Sequence, residues 1–352
     1  MLIGKTNKLT RAMGFGLLLW VAVAHARSYA NELIALSSEW VIATAYPADT
    51  VSGRAAEDFA SLLNQANNVA AVALPRFNEK TVSSRSPDST DLPFRVEFSG
   101  DWATRETILA LSTSPYTVKS VEEACAISRI ARPAYRAALS HYGFVLLAVI
   151  PWPPTGIWSR SEISSPKDFV GMRVRTYDES SKLVLEALGA HVVSLPIQEA
   201  LAQIKTGGVD AVMSSGDGAA GRAYASDLPN FTALRYAYPV SFLVASRHFL
   251  DGLSASQRSV IFAAGWETER RAWARLPDRV RRNYEMMATL GVAVHDPAPA
   301  SLLDAVVRTA TGGFRKAVTK DSEAISILER FRACSASGCG TCTLDVQTEA
   351  SR

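Results

Sequence analysis

Arg173 and Arg175 stand two residues apart in the run Met172-Arg173-Val174-Arg175-Thr176, whose alternation predicts a β-strand. Both guanidinium groups then project from one face. A planar guanidinium makes two parallel hydrogen bonds to a carboxylate, so the pair suits either an organic acid or ion pairs with neighbours such as Asp168 or Glu186. Gly216-Asp217-Gly218-Ala219-Ala220-Gly221 follows another predicted strand and matches G-x-G-x-x-G, the phosphate-cradling pattern of dinucleotide sites. The rest of that signature is missing: Pro229 arrives too soon for the usual long helix, and the position about 20 residues on, near Tyr236, offers no acid for a ribose. An exported oxidoreductase using this loop is the rival reading, and a ligand-contacting or connecting loop the leading one. Of the four cysteines, Cys339 and Cys342 form a C-x-x-C outside any βαβ frame, and Cys334 lies nearby. These predict one disulfide in the tail, with Cys125 left as a buried thiol. The five histidines are scattered, and neither H-E-x-x-H nor G-x-S-x-G occurs. No metal site, cofactor or nucleophile–base pair is expected. Trp152, Trp158, Tyr236 and Tyr238 are candidate pocket walls that could equally be core.

The elements that must position these groups follow from periodicity and caps. Trp40 to Ala45 is a short β-rich run, and Arg54 to Leu63 carries a helical apolar stripe. Val69 to Leu74 and Phe94 to Phe98 read as strands. Ser120 and Glu123 are spaced as a capping box for a helix reaching about Tyr142, kinked by Pro133 and ended by Gly143. Phe144 to Ile150 has no polar alternation and predicts a strand buried on both faces, stopped by Pro151-Trp152-Pro153-Pro154 at a change of domain. Strands at Met172 to Thr176, His191 to Ser194 and Val209 to Met213 then alternate with helices closed by Gly189 and Gly207. Alternating β and α implies a parallel sheet, whose ligands bind at the carboxyl ends of the strands, in the loops after Arg175 and Met213. Tyr238 to Ser246 is a further strand. Ser254 and Gln257 open a helical pattern running to about Leu290, interrupted at Pro277, long enough to cross two lobes.

The chain has 352 residues, 48% hydrophobic and 20% charged, which excludes disordered and fibrous classes and allows two domains. Its formal charge of +3 resides in Lys5, Lys8 and Arg11, leaving 34 basic against 34 acidic residues elsewhere. Such a balance gives no nucleic-acid footprint. The basic start, the apolar Ala12 to Ala24 and Ala24-His25-Ala26 predict a secretory signal cut after Ala26, with Ala30 as the rival site. The apolar run is shorter than a membrane-spanning helix needs.

Several segments in sequence order resemble one family. They are Ser165-Pro166-Lys167-Asp168-Phe169-Val170-Gly171-Met172-Arg173-Val174-Arg175, Ala187-Leu188-Gly189-Ala190, Leu195-Pro196, Ala200-Leu201 and Thr206-Gly207-Gly208-Val209-Asp210. Together with Trp40 to Pro47, Ser246-Arg247 and Leu253 to Gln257, they resemble the solute-binding proteins of tripartite ATP-independent periplasmic (TRAP) transporters, the dicarboxylate-binding-protein family. The resemblance covers about Trp40 to Trp266. It implies a two-lobed periplasmic-binding-protein-like α/β fold, with a long kinked helix spanning both lobes and a ligand cleft between them. The expected division is a signal peptide at 1–26, lobe I at 27–151 plus 239–276, lobe II at 152–238 plus 277–333, and a tail at 334–352. The implied role is a periplasmic, non-catalytic receptor, monomeric or weakly dimeric, handing a small organic acid to membrane subunits. A ligand-sensing module for a membrane partner would use the same fold.

In this comparison Arg175 falls on the family's selectivity arginine, and Arg173 on a usually basic neighbour. Trp158 stands where a second arginine is common, and Ser214 where an asparagine contacts ligand. Tyr238 matches a family tyrosine, while Trp152 and Tyr236 are expected to wall the cleft. Losing one cation and gaining an indole favours a monocarboxylate with an apolar or aromatic body over a dicarboxylate gripped at both ends.

Overall fold

The computed structural model describes residues 39–66, 72–77, 92–102, 105–195, 197–318 and 321–336. The expected signal peptide and most of the cysteine-bearing tail lie outside them. Two sheets organise the chain. The first has strand order β2-β1-β3-β10-β4, with β1 (Glu39–Thr44), β2 (Val72–Phe77), β3 (Phe94–Phe98), β4 (Phe144–Pro151) and β10 (Val240–Ser246). The second has order β11-β9-β5-β8-β6-β7, with β5 (Gly156–Ser159), β6 (Arg173–Thr176), β7 (His191–Ser194), β8 (Ala211–Ser214), β9 (Asn230–Thr232) and β11 (Ala293–His295). In each sheet one strand that has crossed from the other lobe runs antiparallel to its neighbours: β10 between β3 and β4, and β5 between β8 and β9. The chain therefore passes between lobes twice in short connections between strands, at 151–156 and 232–240.

Both faces of the first sheet are covered, so β4 lacks polar alternation. Leu146 and Val149 face one core with helix α2 (Val121–His141), while Leu147, Ala148 and Ile150 face another with helix α1 (Val51–Gln65). Each large side chain so buried contributes about 1.5–3 kcal/mol. Caps fix where the helices start. Thr50 accepts the Gly53 amide at the start of α1, and Ser120 accepts the Glu123 amide at the start of α2. The expected box at α2 is only half formed, because the Glu123 carboxylate takes the Lys119 amide, at 2.7 Å. The backbone turns left-handed at Gly143 (φ 76°), as a helix end there requires.

The long helix spans Ala255–Thr289 and opens on a complete capping box between Ser254 and Gln257. It is unbroken at Pro277, contrary to the interruption expected there. Packing on both sides of the proline holds it: Ile261, Ala264, Trp273 and Leu276 are in the first lobe's cores, and Met287 is in a core of the second. Gly265 lies against β4 so closely that a Cβ there would sit 2.9 Å from Leu147 Cβ. A buried Arg132–Glu269 pair, 2.6 Å, ties this helix to α2, and Glu269 also accepts the Val149 amide of β4. No described helix is long and apolar enough to cross a membrane.

Two expectations change. Helix Ser322–Ala336, assigned to the second lobe from its position in the chain, packs into the first: Ala324, Ile327, Leu328 and Phe331 share a core with Tyr135 and Leu139. Cys125 is not a free thiol, since both Cys125 and Cys334 are disulfide-bonded. The apolar stripe of this last helix explains the first change, because Ala324, Ile327, Leu328 and Phe331 are buried in the first lobe's core.

Candidate functional site

A cavity of about 660 Å³ opens between the lobes. The first lobe contributes the turn after β1 (Tyr46, Pro47, Thr50) and the end of β3 with its following turn (Glu97, Phe98, Asp101, Trp102); Trp152 and Thr155 come from the connection between β4 and β5. The second lobe contributes the carboxyl ends of its parallel strands and the segments that follow: Arg175 in β6 and Tyr177 after it, Leu195 after β7, and Ser214 at the end of β8 with Ser215, Asp217 and Tyr224 after it. The chain thus places its cleft at the strand ends where alternating β and α elements predict a ligand.

Arg175 is the cation of this cavity. Its side chain is nearly buried, 8% exposed, and its Nε donates to the Leu195 carbonyl at 2.8 Å. That bond fixes the plane of the guanidinium and leaves both Nη groups for a ligand. Among the described residues no carboxylate forms an ion pair with Arg175. Its charge still reaches Asp101, Tyr177, Tyr46 and Tyr224, whose ionised forms it favours. Near it, the Ser214 hydroxyl accepts the Gly216 amide at 3.1 Å. The Tyr224 hydroxyl is buried and points toward Ser214 without closing a hydrogen bond. An organic anion seated on Arg175 would share the cavity with the Ser214 hydroxyl.

Aromatic rings build the opposite wall. Tyr46, Phe98 and Trp152 meet in pairs with centroids 5.0–6.4 Å apart, edge to face, and Tyr177 adds a fourth ring 5.6 Å from Phe98. Hydrogen bonds hold their polar ends: Trp152 Nε1 donates to Ser241 Oγ, 2.9 Å, and Tyr177 meets Thr155 Oγ1 at 3.1 Å. Burial holds the Tyr46 and Tyr177 phenols protonated by pushing their pKa values far up.

Of the residues singled out from sequence, Arg175, Ser214 and Trp152 line this cavity, and Trp158, Arg173, Tyr236 and Tyr238 do not. Arg173 shares a strand face with Arg175 but lies about 6.6 Å back from the cleft end. There it makes a bidentate pair with Asp210, at 2.7 and 2.8 Å, neither of the partners expected. The Asp210 carboxyl is held below the usual range by those Arg173 bonds. Trp158 is in the central strand β5, paired with Val212 and Phe231, and its indole is sealed in a core with Tyr224 and Phe231. Tyr236 stacks edge-on to Tyr116 in a separate core, and Tyr238 donates to the Lys119 carbonyl at 3.1 Å. Tyr46, Phe98, Asp101, Tyr177 and Tyr224 were not foreseen. Tyr46 alone carried a signal, in the Tyr46-Pro47 pair closing the first strand.

The glycine-rich loop has a use other than phosphate binding. Gly216 (φ 64°) lies on the Trp158 indole, where a Cβ would approach to 2.2 Å, and Gly218 (φ 58°) lies against the Asp49 carbonyl. The Ala219 amide, which would face a pyrophosphate in a dinucleotide site, points at Asp49 Oδ1, 3.3 Å. Asp217 accepts two bonds from Arg279, 2.6 and 2.9 Å, and the Val51 amide at 2.9 Å. Arg222 reaches back to Asp49. The loop therefore fastens the second lobe to the first beside the cavity mouth. Burial pushes the Asp217 carboxyl up, and the Arg279 and Val51 contacts pull it back.

Residues 95–309 match the family described as bacterial extracellular solute-binding protein, family 7 (DctP). The chain belongs to this family. A solute-binding protein of Albidiferax ferrireducens is 31% identical over 136 residues, covering 38% of this chain and 40% of its own length. The match thus spans less than half of that curated relative. Among solved structures, DctP7 of Bordetella pertussis, an extracytoplasmic solute receptor binding pyroglutamic acid, superposes with a TM-score of 0.78 at 21% identity, over 84% of this chain and 99% of that one. A TRAP periplasmic solute-binding protein from Ralstonia eutropha, with bound (S)-2-acetolactate, gives 0.76 at 17% identity, over 85% and 99%. The family-7 fold is that of the two-lobed TRAP receptors, as the sequence resemblance implied. Family members are receptors rather than enzymes, and the oxidoreductase reading falls with the loop geometry.

Proposed function

We propose that this family-7 protein is an exported receptor that binds a small monocarboxylate between its lobes and delivers it to the membrane subunits of a TRAP transporter. The observation that carries the reading is Arg175: a nearly buried guanidinium, held by one backbone carbonyl and free of any described carboxylate, facing an aromatic-walled cavity. A buried cation without a counter-ion is costly, so the site is complementary to an anion supplied from outside. With Trp158 and Arg173 turned away from the cleft, the described cavity offers one cation to a ligand, which supports one carboxylate rather than two. Pyroglutamate and acetolactate, bound by the fold relatives, are both small monocarboxylates and support the same reading. Export by a leader cut near Ala26 and a monomeric or weakly dimeric receptor complete the proposal.

The test is a thermal-shift screen of the purified protein against mono- and dicarboxylates, with mass spectrometry of denatured protein for a co-purified acid. A ligand at a thousand times its dissociation constant adds about 4 kcal/mol of stability. A midpoint raised by monocarboxylates above matched dicarboxylates is the expected result. Absence of any acid-induced shift, together with no acid in the extract, refutes the reading.

A further inference from the structure

The two walls of the cleft carry opposite charge. Arg175 stands on the second lobe, and Asp101, in the turn after β3, stands on the first; both line the one cavity. They are too far apart to pair, yet each lies within the other's field. Glu97, also at the cavity, is already engaged by Arg95 at 3.0 Å. Asp101 accepts no hydrogen bond and makes no ion pair among the described residues. The rings of Tyr46, Phe98 and Trp152 line the same cavity, and the faces of such rings favour a cation. A ligand with one carboxylate and an apolar remainder would satisfy Arg175 and lay hydrocarbon over an unpaired acid.

We propose that the cleft is built for a zwitterion, its carboxylate on Arg175 and a positively charged nitrogen against Asp101 and the neighbouring rings. This rests on the carboxylate-receptor reading and narrows its ligand class. Surrounding protein and the Glu97 charge raise the Asp101 pKa to about 7, and Arg175 opposes them. A ligand cation would supply the partner that keeps this carboxylate ionised.

The experiment is calorimetry on the purified protein with three isosteric pairs that differ only in nitrogen: proline and cyclopentanecarboxylate, 4-aminobutyrate and pentanoate, phenylalanine and 2-methyl-3-phenylpropanoate. Proline and phenylalanine carry the nitrogen on the carbon next to the carboxylate and 4-aminobutyrate carries it two carbons farther, so the pairs sample two separations of the charged groups. The nitrogen-bearing member should bind at least about tenfold tighter in at least one pair. Asp101→Asn, which keeps the shape and removes the charge, should cut the preference to within about threefold, while binding of the nitrogen-free partner stays the same or improves. Equal or tighter binding of the nitrogen-free acid in every pair overturns the inference and leaves the carboxylate reading standing. So does a nitrogen preference that survives in Asp101→Asn, or binding confined to nitrogen-free acids of the wider panel. If neither these six nor any other acid binds, both readings fall together.

Discussion

Replacing Arg175 with alanine should abolish most ligand affinity while leaving the fold intact. In the free protein this side chain makes one described hydrogen bond, from Nε to the Leu195 carbonyl. Losing it costs about 1 kcal/mol, and removing a desolvated charge works the other way. The unliganded melting midpoint should therefore move by only a few degrees. In the complex, both Nη groups are available for a bidentate carboxylate. Two charge-assisted bonds at about 1.5–3 kcal/mol each, discounted for incomplete additivity, put the loss at about 3–5 kcal/mol, or roughly 150- to 4,000-fold in dissociation constant. Arg175→Lys keeps the charge but loses the fork and the Nε anchor, so it should fall between the two. Titration calorimetry with whichever carboxylate gives the largest thermal shift measures the loss, and a far-ultraviolet melt of each free variant checks the fold. A dissociation constant within threefold of wild type, in a normally melting Arg175→Ala protein, would remove Arg175 from the site and with it the central argument for an anion receptor.

Other substitutions separate the roles of neighbouring residues. Trp158→Ala should destabilise the protein by about 3–5 kcal/mol through the void left in a sealed core, with Trp158→Phe milder; a loss of affinity in Trp158→Phe at unchanged stability would instead put the indole in the cleft. Asp217→Asn loses the charge that holds Arg279 and should weaken the fastening of the lobes, so scattering should give a larger radius for the free variant than for wild type; an unchanged radius would show that the loop does not set closure. In the unfolded chain Asp101 loses its proton near its ordinary pKa of 3.8, and in the fold only near 7, so the folded protein holds the extra proton between these values. The unliganded protein should lose stability as pH rises through that window, in the presence of Glu97 and Arg175, and the gain in midpoint given by Asp101→Asn should be largest at pH 8 and shrink toward pH 4; a pH-independent difference contradicts the assignment. Reduction of the disulfides holding Cys125 and Cys334 should lower the melting midpoint, which comparison of melts with and without reductant would show.

The local code of the chain was plain in the sequence wherever the cause was local. Strand β4 announced itself because a strand covered on both faces must be apolar throughout, and Ser254 with Gln257 announced the long helix because a cap is satisfied within one turn. The alternating elements from Met172 to Met213 located the cleft end of the second sheet, and Arg175 lies there because a parallel strand delivers its last side chains to that end. Strand β5 was harder to see: its four residues follow a proline-rich turn, too short for periodicity to register.

What separates Arg175 from Arg173, and Trp152 from Trp158, is not local. Each pair shares a residue type, and the two arginines share a strand face. Tertiary structure brings Asp210 to Arg173 and leaves the Arg175 fork without a described carboxylate; it closes a core over Trp158 and opens the cleft beside Trp152. The same holds for Asp101 and Tyr224, which no spacing rule links to Arg175 because they approach it from different elements, Asp101 from the opposite lobe. Residue types and periodicity determine which elements form and which groups are chemically able to hold an anion. Which of those groups remain without partners, facing shared space, depends on contacts between residues distant in the chain, and only the folded arrangement of the two lobes decides them.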